Sequence, residues 1–287
     1  MAEDLDEVLH QLIVTTRILA NENVLDAFGH VSVRHPHDRN RYFIPRHRAP
    51  ELAEVSDLVE LDLDSQPVRP TPYRLYSERV IHGEIYKARP DVNAVVHHHA
   101  HAVLPYAISG RDMVPVFHLG SVLGTKVPFW DQRDEFGDTN MLVVKAEEGA
   151  SLARALGPHW IVLMRRHGAT VAATDLRQLA FRSVFSCHNA SLQSQAMAHN
   201  TGLVDSLSPG EQTLTEAGQL GPMPIERAWD YWVRHIEKAG LMPAKAAGKR
   251  KASATKTAAN AKGRKSKAAK PKPAKKASGK KSDQKRR

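Results

Sequence analysis

The sequence predicts an α/β sandwich, and three observations carry that reading. Short apolar or alternating runs of strand length recur along the chain, stretches with helical spacing lie on either side of them, and both fall within one unit of roughly 240 residues. No internal repeat interrupts the pattern.

The elements follow in order. Leu5, Val8, Leu9, Leu12, Ile13 and Leu19 recur at three- and four-residue steps, which predicts a helix over 5–19. Phe28-Gly29 reads as a turn into an alternating strand, His30-Val31-Ser32-Val33-Arg34. Arg41 to Pro45 reads as a second strand and Leu58 to Leu63 as a third. Ser77 to Ala88 is an amphipathic helix ended by Pro90. Asn93 to His99 is an apolar strand that runs into histidines. Trp160 to Arg165 is another, closed by His167-Gly168, with a short strand from Val171. Leu176 to Ala198 is a long helix, and Trp229 to Ala239 a last one.

The formal net charge of +10 over 287 residues suggests a nucleic-acid binder until the chain is divided. Residues 244–287 hold 18 basic side chains and one acid, Asp283, a net of +17. Residues 1–243 hold 23 basic and 30 acidic side chains, a net of −7, with all 16 histidines and all four tryptophans. The expected organisation is therefore a globular unit over 1–243 and a lysine-rich tail over 244–287. The tail has no aromatic residue and no Leu, Ile, Val or Met, so it cannot bury enough apolar surface to offset its ordering entropy, and disorder is expected. It would bind nucleic acid or acidic partners non-specifically, through phosphate or carboxylate contacts. The single cysteine, Cys187, excludes an intramolecular disulfide and a multi-cysteine zinc site, and fits a reducing cytoplasm. No apolar run reaches the ~18 residues that a membrane span requires. Met1-Ala-Glu-Asp-Leu-Asp-Glu7 has no apolar core, so no signal peptide is expected.

The densest chemical signal is His97-His98-His99-Ala100-His101 at the end of an apolar strand. On a strand, residues two apart share a face, so His97 and His99, with His101 beyond them, align while His98 points away. Two imidazoles at that spacing can chelate one divalent ion, and His167 beside Gly168 is a natural third donor. The ordinary alternative is a set of hydrogen-bonded polar residues at strand ends; four histidines in five positions favour the ion. Glu78 and His82 lie four apart on one helix face beside Ile81, Ile85 and Ala88. A carboxylate at the edge of a core, near a metal, has the raised pKa that suits proton transfer.

These pieces together resemble the class II aldolase/adducin family. The resemblance rests on Glu78-x-x-x-His82 followed by Ile85-Tyr86-Lys87-Ala88-Arg89-Pro90-Asp91-Val92-Asn93-Ala94-Val95-Val96-His97-x-His99, on Gly29-x-Val31-Ser32-x-Arg34 upstream and on Arg166-His167-Gly168 downstream. It covers about residues 5 to 200. It implies a three-layer α/β/α sandwich with a central, mainly antiparallel sheet. It implies that His97, His99 and His167 bind a divalent metal, zinc foremost, with manganese, cobalt or iron as alternatives, and that Glu78 is the catalytic acid/base. It also implies a homotetramer with sites between subunits, where a C-terminal residue such as Tyr231 would serve a neighbour.

Departures from the family pattern bear on the substrate. Sugar-phosphate aldolases of the family carry Asn where His30 stands and a Ser-Ser pair where this chain has Tyr76-Ser77. With that phosphate cradle replaced, the chain looks like the branch of decarboxylases acting on hydroxylated aromatic dicarboxylates. Arg46 and Arg48 have the fork geometry that suits carboxylates. Together with His30, Ser32, Ser77 and His118 they are the expected substrate contacts. The expected function is a metal-dependent carbon–carbon lyase, in which Glu78 or His82 protonates the carbanion left when the bond breaks. Decarboxylation of a hydroxy-carboxylate is favoured; an aldolase or epimerase acting on a sugar phosphate is the nearest alternative, and an iron oxygenase on the same fold a further one. The rivals of another class are a non-catalytic adducin-like module and a nucleic-acid binder acting through the tail.

Overall fold

The computed structural model describes residues 4–244 other than 201 and 203, so all of the basic tail but its first residue lies outside the described residues. Helix α1 (Leu5–Asn21) starts where the Asp4 carboxylate accepts the Asp6 N–H at 3.1 Å. The strands are β1 (His30–Arg34), β2 (Arg41–Pro45), β3 (Leu58–Asp62), β4 (Ala94–His98), β5 (Phe129–Trp130), β6 (Ile161–Met164) and β7 (Gly168–Ala173). They form one seven-stranded sheet in the order β3-β2-β1-β4-β7-β6-β5. Every pairing is antiparallel except that of β5 with β6.

The period-two alternation of the strands sends side chains into two separate cores. Ala94 and Val96 of β4 pack with Val31, Val33 and Val171 against α1, α6 (Leu176–His199) and α8 (Pro222–Lys238). Val95 packs on the other face with Tyr42, Val162 and Ala172, against α2 (Val80–Ala88) and α5 (Ala146–Leu156). Buried leucines and isoleucines such as Leu12, Ile18, Ile81 and Leu152 each stabilise these layers by about 1.5–3 kcal/mol. The three-layer sandwich with a mainly antiparallel sheet is as expected. No helix among the described residues is long and apolar enough to cross a membrane.

Several local expectations are corrected. Ser77 to Ala88 is two pieces, a 3-10 turn at Ser77–Arg79 and then α2, because Glu78 takes φ −91° and ψ 17°, outside the helical basin. The last helix begins at Pro222, well before Trp229. Pro222 and Pro224 sit at its start, where a missing N–H leaves no bond unmade. β7 begins at Gly168, ahead of Val171. The helices α3 (Leu104–Ser109), α4 (Arg133–Phe136), α5 and α7 (Pro209–Gln219), with β5, were not foreseen.

Two glycines let the sheet close around β4. Gly29, at φ +87°, leads into β1, and a Cβ there would lie 2.8 Å from the His97 carbonyl oxygen. At Gly168, opening β7 on the other side, a Cβ would overlap the His98 carbonyl oxygen. Gly168→Ala is therefore expected to destabilise the fold by about 2–3 kcal/mol, since backbone on both sides must shift. Gly218→Ala, on α7 with open space around it, should change stability by less than about 1 kcal/mol. Paired thermal unfolding curves check both.

Candidate metal centre

β4 has its neighbours β1 and β7 on either side, and its last residues carry the site. His97 shares the parity of Val95, so it projects into the α2/α5 layer, while His98 projects into the other core. His167 comes from the β6–β7 turn. Arg166 before it is held at φ +52°, with its N–H donating to the Ala107 carbonyl at 2.8 Å. Glu78 comes from the 3-10 turn that opens α2, in the layer His97 faces.

These elements bring one donor atom each from Glu78, His97, His99 and His167 within 4.8 Å of one another. The Nε2 atoms of His97 and His99 are 3.0 Å apart. Glu78 Oε2 is 3.9 Å from His97 Nε2, and Glu78 Oε1 is 3.6 Å from His167 Nε2. Tetrahedral ligands at ~2.1 Å from an ion lie ~3.4 Å from one another, so this donor set fits a single divalent cation. Protonation agrees. Burial holds His97 well below the usual histidine range, lowers His99 and takes His167 to about 4, leaving three neutral imidazoles with free lone pairs at neutral pH. Thr170, opposite His97 in the β4–β7 register, contacts its Nδ1 at 3.3 Å and orients the ring. Burial pushes the Glu78 carboxyl up to about 7, against the pull of the Val143 N–H donating to Oε1 at 3.0 Å.

The remaining sequence candidates divide. His30 comes to the site: its ring centroid is 5.4 Å from that of His97 and 4.6 Å from that of Tyr76. His82 lies outside the ligand cluster. It is fully buried, with Nε2 at 2.6 Å from His30 Nδ1 and Nδ1 at 2.6 Å from Ser32 Oγ. Ser32 is likewise fully buried and spends its hydroxyl on His82 and on Tyr86 Oη at 2.7 Å, so it has no face toward a substrate. Arg46 and Arg48 are not free carboxylate clamps; both pair with Asp57, at 2.6 and 2.7 Å. Burial works to raise the Asp57 pKa, but the hydrogen bonds from Arg46, the Glu54 backbone and Arg48 outweigh it. Ser77 is exposed beside Glu78, and His101 is exposed. His118 is exposed in an apolar cleft with Phe181, Phe185, Tyr231 and Trp232, in the α6/α8 layer opposite the one Glu78 occupies.

Four contributors have no role in the sequence reading: Tyr86 and Arg166, which it names only in the family pattern, and Thr170 and the Val143 N–H. Tyr86 continues the four-residue step Glu78–His82–Tyr86 along one helix face, a spacing that could have found it. Arg166 borders a cleft of about 230 Å³ beside His167. Its neighbours Arg133 and Arg165 pair with Asp131 at 2.8 and 3.2 Å, whereas Arg166 makes no ion pair among the described residues.

Decarboxylase tropJ of Talaromyces stipitatus is 34% identical over 244 residues, covering 78% of this chain and 92% of the relative. The 3,4-dihydroxyphthalate decarboxylase of Arthrobacter keyseri is 26% identical over 242 residues, covering 79% and 93%. Among solved structures, L-fuculose 1-phosphate aldolase from Glaciozyma antarctica superposes with a TM-score of 0.69 over 84% of this chain and 93% of its own, at 18% identity, a likeness of fold. Residues 10–194, which include all four donors, match the model of the class II aldolase and adducin N-terminal domain, and the chain belongs to that family.

Proposed function

We propose that the chain is a divalent-metal-dependent carbon–carbon lyase, specifically a carboxy-lyase of a hydroxylated aromatic carboxylate. One observation carries this reading: three neutral imidazoles and a carboxyl raised to about 7 converge on a space fit for one cation. Family membership and the decarboxylases among its relatives support a lyase over a scaffold. Packing supports an aromatic substrate over a sugar phosphate, because the rings of His30 and Tyr76 lie tilted against each other, 4.6 Å between centroids, where a phosphate cradle would need small polar groups.

His97, His99 and His167 would hold the ion, which supplies a Lewis acid for the electrons released at the broken bond. Arg166, without an ion pair among the described residues and bordering the adjoining cleft, would orient a carboxylate. Glu78 holds a proton on the oxygen not engaged by the Val143 N–H and delivers it to the ring carbon as carbon dioxide leaves. The two ring nitrogens of His82 are engaged by His30 and Ser32, which supports Glu78 over His82 as the donor. Zinc is the proposed ion, with manganese, cobalt and iron as the alternatives to supply. A homotetramer, a cytoplasmic setting and non-specific binding of acidic partners by residues 244–287 complete the proposal.

The test supplies the purified full chain with zinc, manganese or iron and offers 3,4-dihydroxyphthalate, related hydroxybenzoates and sugar phosphates. Release of carbon dioxide from a hydroxylated aromatic acid is the expected result. Turnover of sugar phosphates alone would replace it with the aldolase or epimerase reading, and failure to bind metal with that of a non-catalytic module.

A further inference from the structure

Tyr86, Ser32, His82 and His30 form one unbranched hydrogen-bonded chain from the interior of the α2 layer to the edge of the metal centre. Its links are 2.7 Å from Tyr86 Oη to Ser32 Oγ, 2.6 Å from Ser32 Oγ to His82 Nδ1 and 2.6 Å from His82 Nε2 to His30 Nδ1. None of the four residues is more than 4% exposed. Each link taken alone can point either way, but the inner end decides.

Burial pushes the Tyr86 phenol far up, so its proton stays on. Among the described residues Ser32 is the only hydrogen-bond partner of that hydroxyl. If the chain ran inward from His30, the phenol proton would be buried with no acceptor. If Ser32 accepted from both neighbours, its own proton would be stranded instead. Either arrangement leaves a buried donor unmade, which folded proteins avoid. One direction satisfies every group: Tyr86 donates to Ser32, Ser32 donates to His82 Nδ1, and the His82 Nε2–H donates to His30 Nδ1. A second proton on either ring would turn at least one link inward and strand a buried donor in the same way, so this order also requires both imidazoles to be neutral. With Nδ1 accepting, neutral His30 carries its proton on Nε2, an atom with no partner among the described residues.

We propose that Tyr86, Ser32 and His82 are positioning residues that lock His30 into its Nε2–H tautomer, making it a fixed hydrogen-bond donor to a substrate oxygen beside the metal-binding histidines. The lock explains why a fourth histidine, with its ring centroid 5.4 Å from that of His97, stands outside the ligand cluster: its Nε2 offers a proton where a ligand must offer a lone pair. It also defines what the site accepts. The substrate must present an acceptor oxygen to His30, such as a phenolate or carboxylate oxygen, and the bond strengthens as negative charge builds there. The identity of that oxygen rests on the carboxy-lyase reading; the tautomer does not.

The experiment uses the zinc-loaded full chain with 15N-labelled histidine. Two-bond 1H–15N correlations report which ring nitrogen bears the proton, and His30 is identified by the signals lost in His30→Gln. A proton on Nε2 is expected; a proton on Nδ1 overturns the proposal. Tyr86→Phe keeps the ring that packs 5.3 Å from Tyr42 but removes one partner of Ser32 Oγ, so that neither direction of the chain then satisfies every polar atom. It is expected to let the Nδ1–H form of His30 appear and to lower kcat for hydroxylated aromatic acids about tenfold at unchanged metal content. Ser32→Ala should do the same by a separate break. An unchanged tautomer and kcat in both variants would overturn the lock. If the wild-type chain shows the Nε2–H form yet decarboxylates nothing, the carboxy-lyase reading fails and the lock stands.

Discussion

His99→Ala is expected to leave a folded protein that retains less than about a tenth of an equivalent of zinc and turns over at least about a thousandfold more slowly than wild type. His99 is the ligand for this test because it is half-buried, whereas His97 is fully buried between β1 and β7. Loss of a His97 side chain would mix metal loss with a core defect. With His99 removed, the donor 3.0 Å from His97 Nε2 is gone, and Glu78, His97 and His167 remain. Elemental analysis after gel filtration, with circular dichroism to verify the fold, reads the result. Full metal occupancy in the variant would remove His99 from the ligand set.

Glu78→Gln is expected to keep its metal and lose about two to four orders of magnitude in kcat. The amide oxygen still accepts the Val143 N–H, so the 3-10 turn has no reason to move. What disappears is the exchangeable proton. Stability moves the opposite way to activity in the metal-free protein. Below about pH 4.5 the carboxyl is protonated whether the chain is folded or not, and above about 7 it is ionised in both states. Between those values only the folded chain holds the proton, so wild type loses stability relative to the glutamine variant as pH rises. The difference approaches about 3 kcal/mol near neutrality, since each tenfold change in proton affinity is worth ~1.4 kcal/mol. Thermal melts of both proteins in chelator at pH 5 and pH 7.5 give the comparison. Normal turnover by Glu78→Gln would end its assignment as the proton donor.

The approach of His97 and His99 could be read from the chain because β-strand parity is a local rule. His97 lies within β4 and His99 just past its end, and the two share a face that His98 does not. Glu78 was less sharply legible: its four-residue step from His82 places it on the helix, whereas it sits in the 3-10 turn that precedes α2. What eluded the sequence was pairing between side chains that share no helix or strand. Asp57, just before β3, captures Arg46 and Arg48 from the end of β2 and the loop after it, and Val143 meets Glu78 across 65 residues. No local pattern announces either contact. His82 shows the sharper failure. Its place on the helix was right, but the ring's job was set by Ser32 and His30 on a strand 50 residues away. α5 was missed for a different reason, because Gly149 and its scattered alanines blunt the apolar stripe although Leu152 and Leu156 lie four apart in it.

Two strands grip β4 along its length, pairing His97 with His30 on one side and with Thr170 on the other. This makes the ligands hostage to chain length. A deletion of one residue between Asn93 and Val96 would preserve every histidine and nearly all the hydrophobicity of the strand. It would also present His98 to the ion where His97 and His99 now stand, and drive those two into the core beneath α1 and α6. Descendants of this chain can therefore exchange residues in the strand more readily than they can lose one. Length variation compatible with the metal site should collect in the connections between strands, such as 63–76 and 110–128.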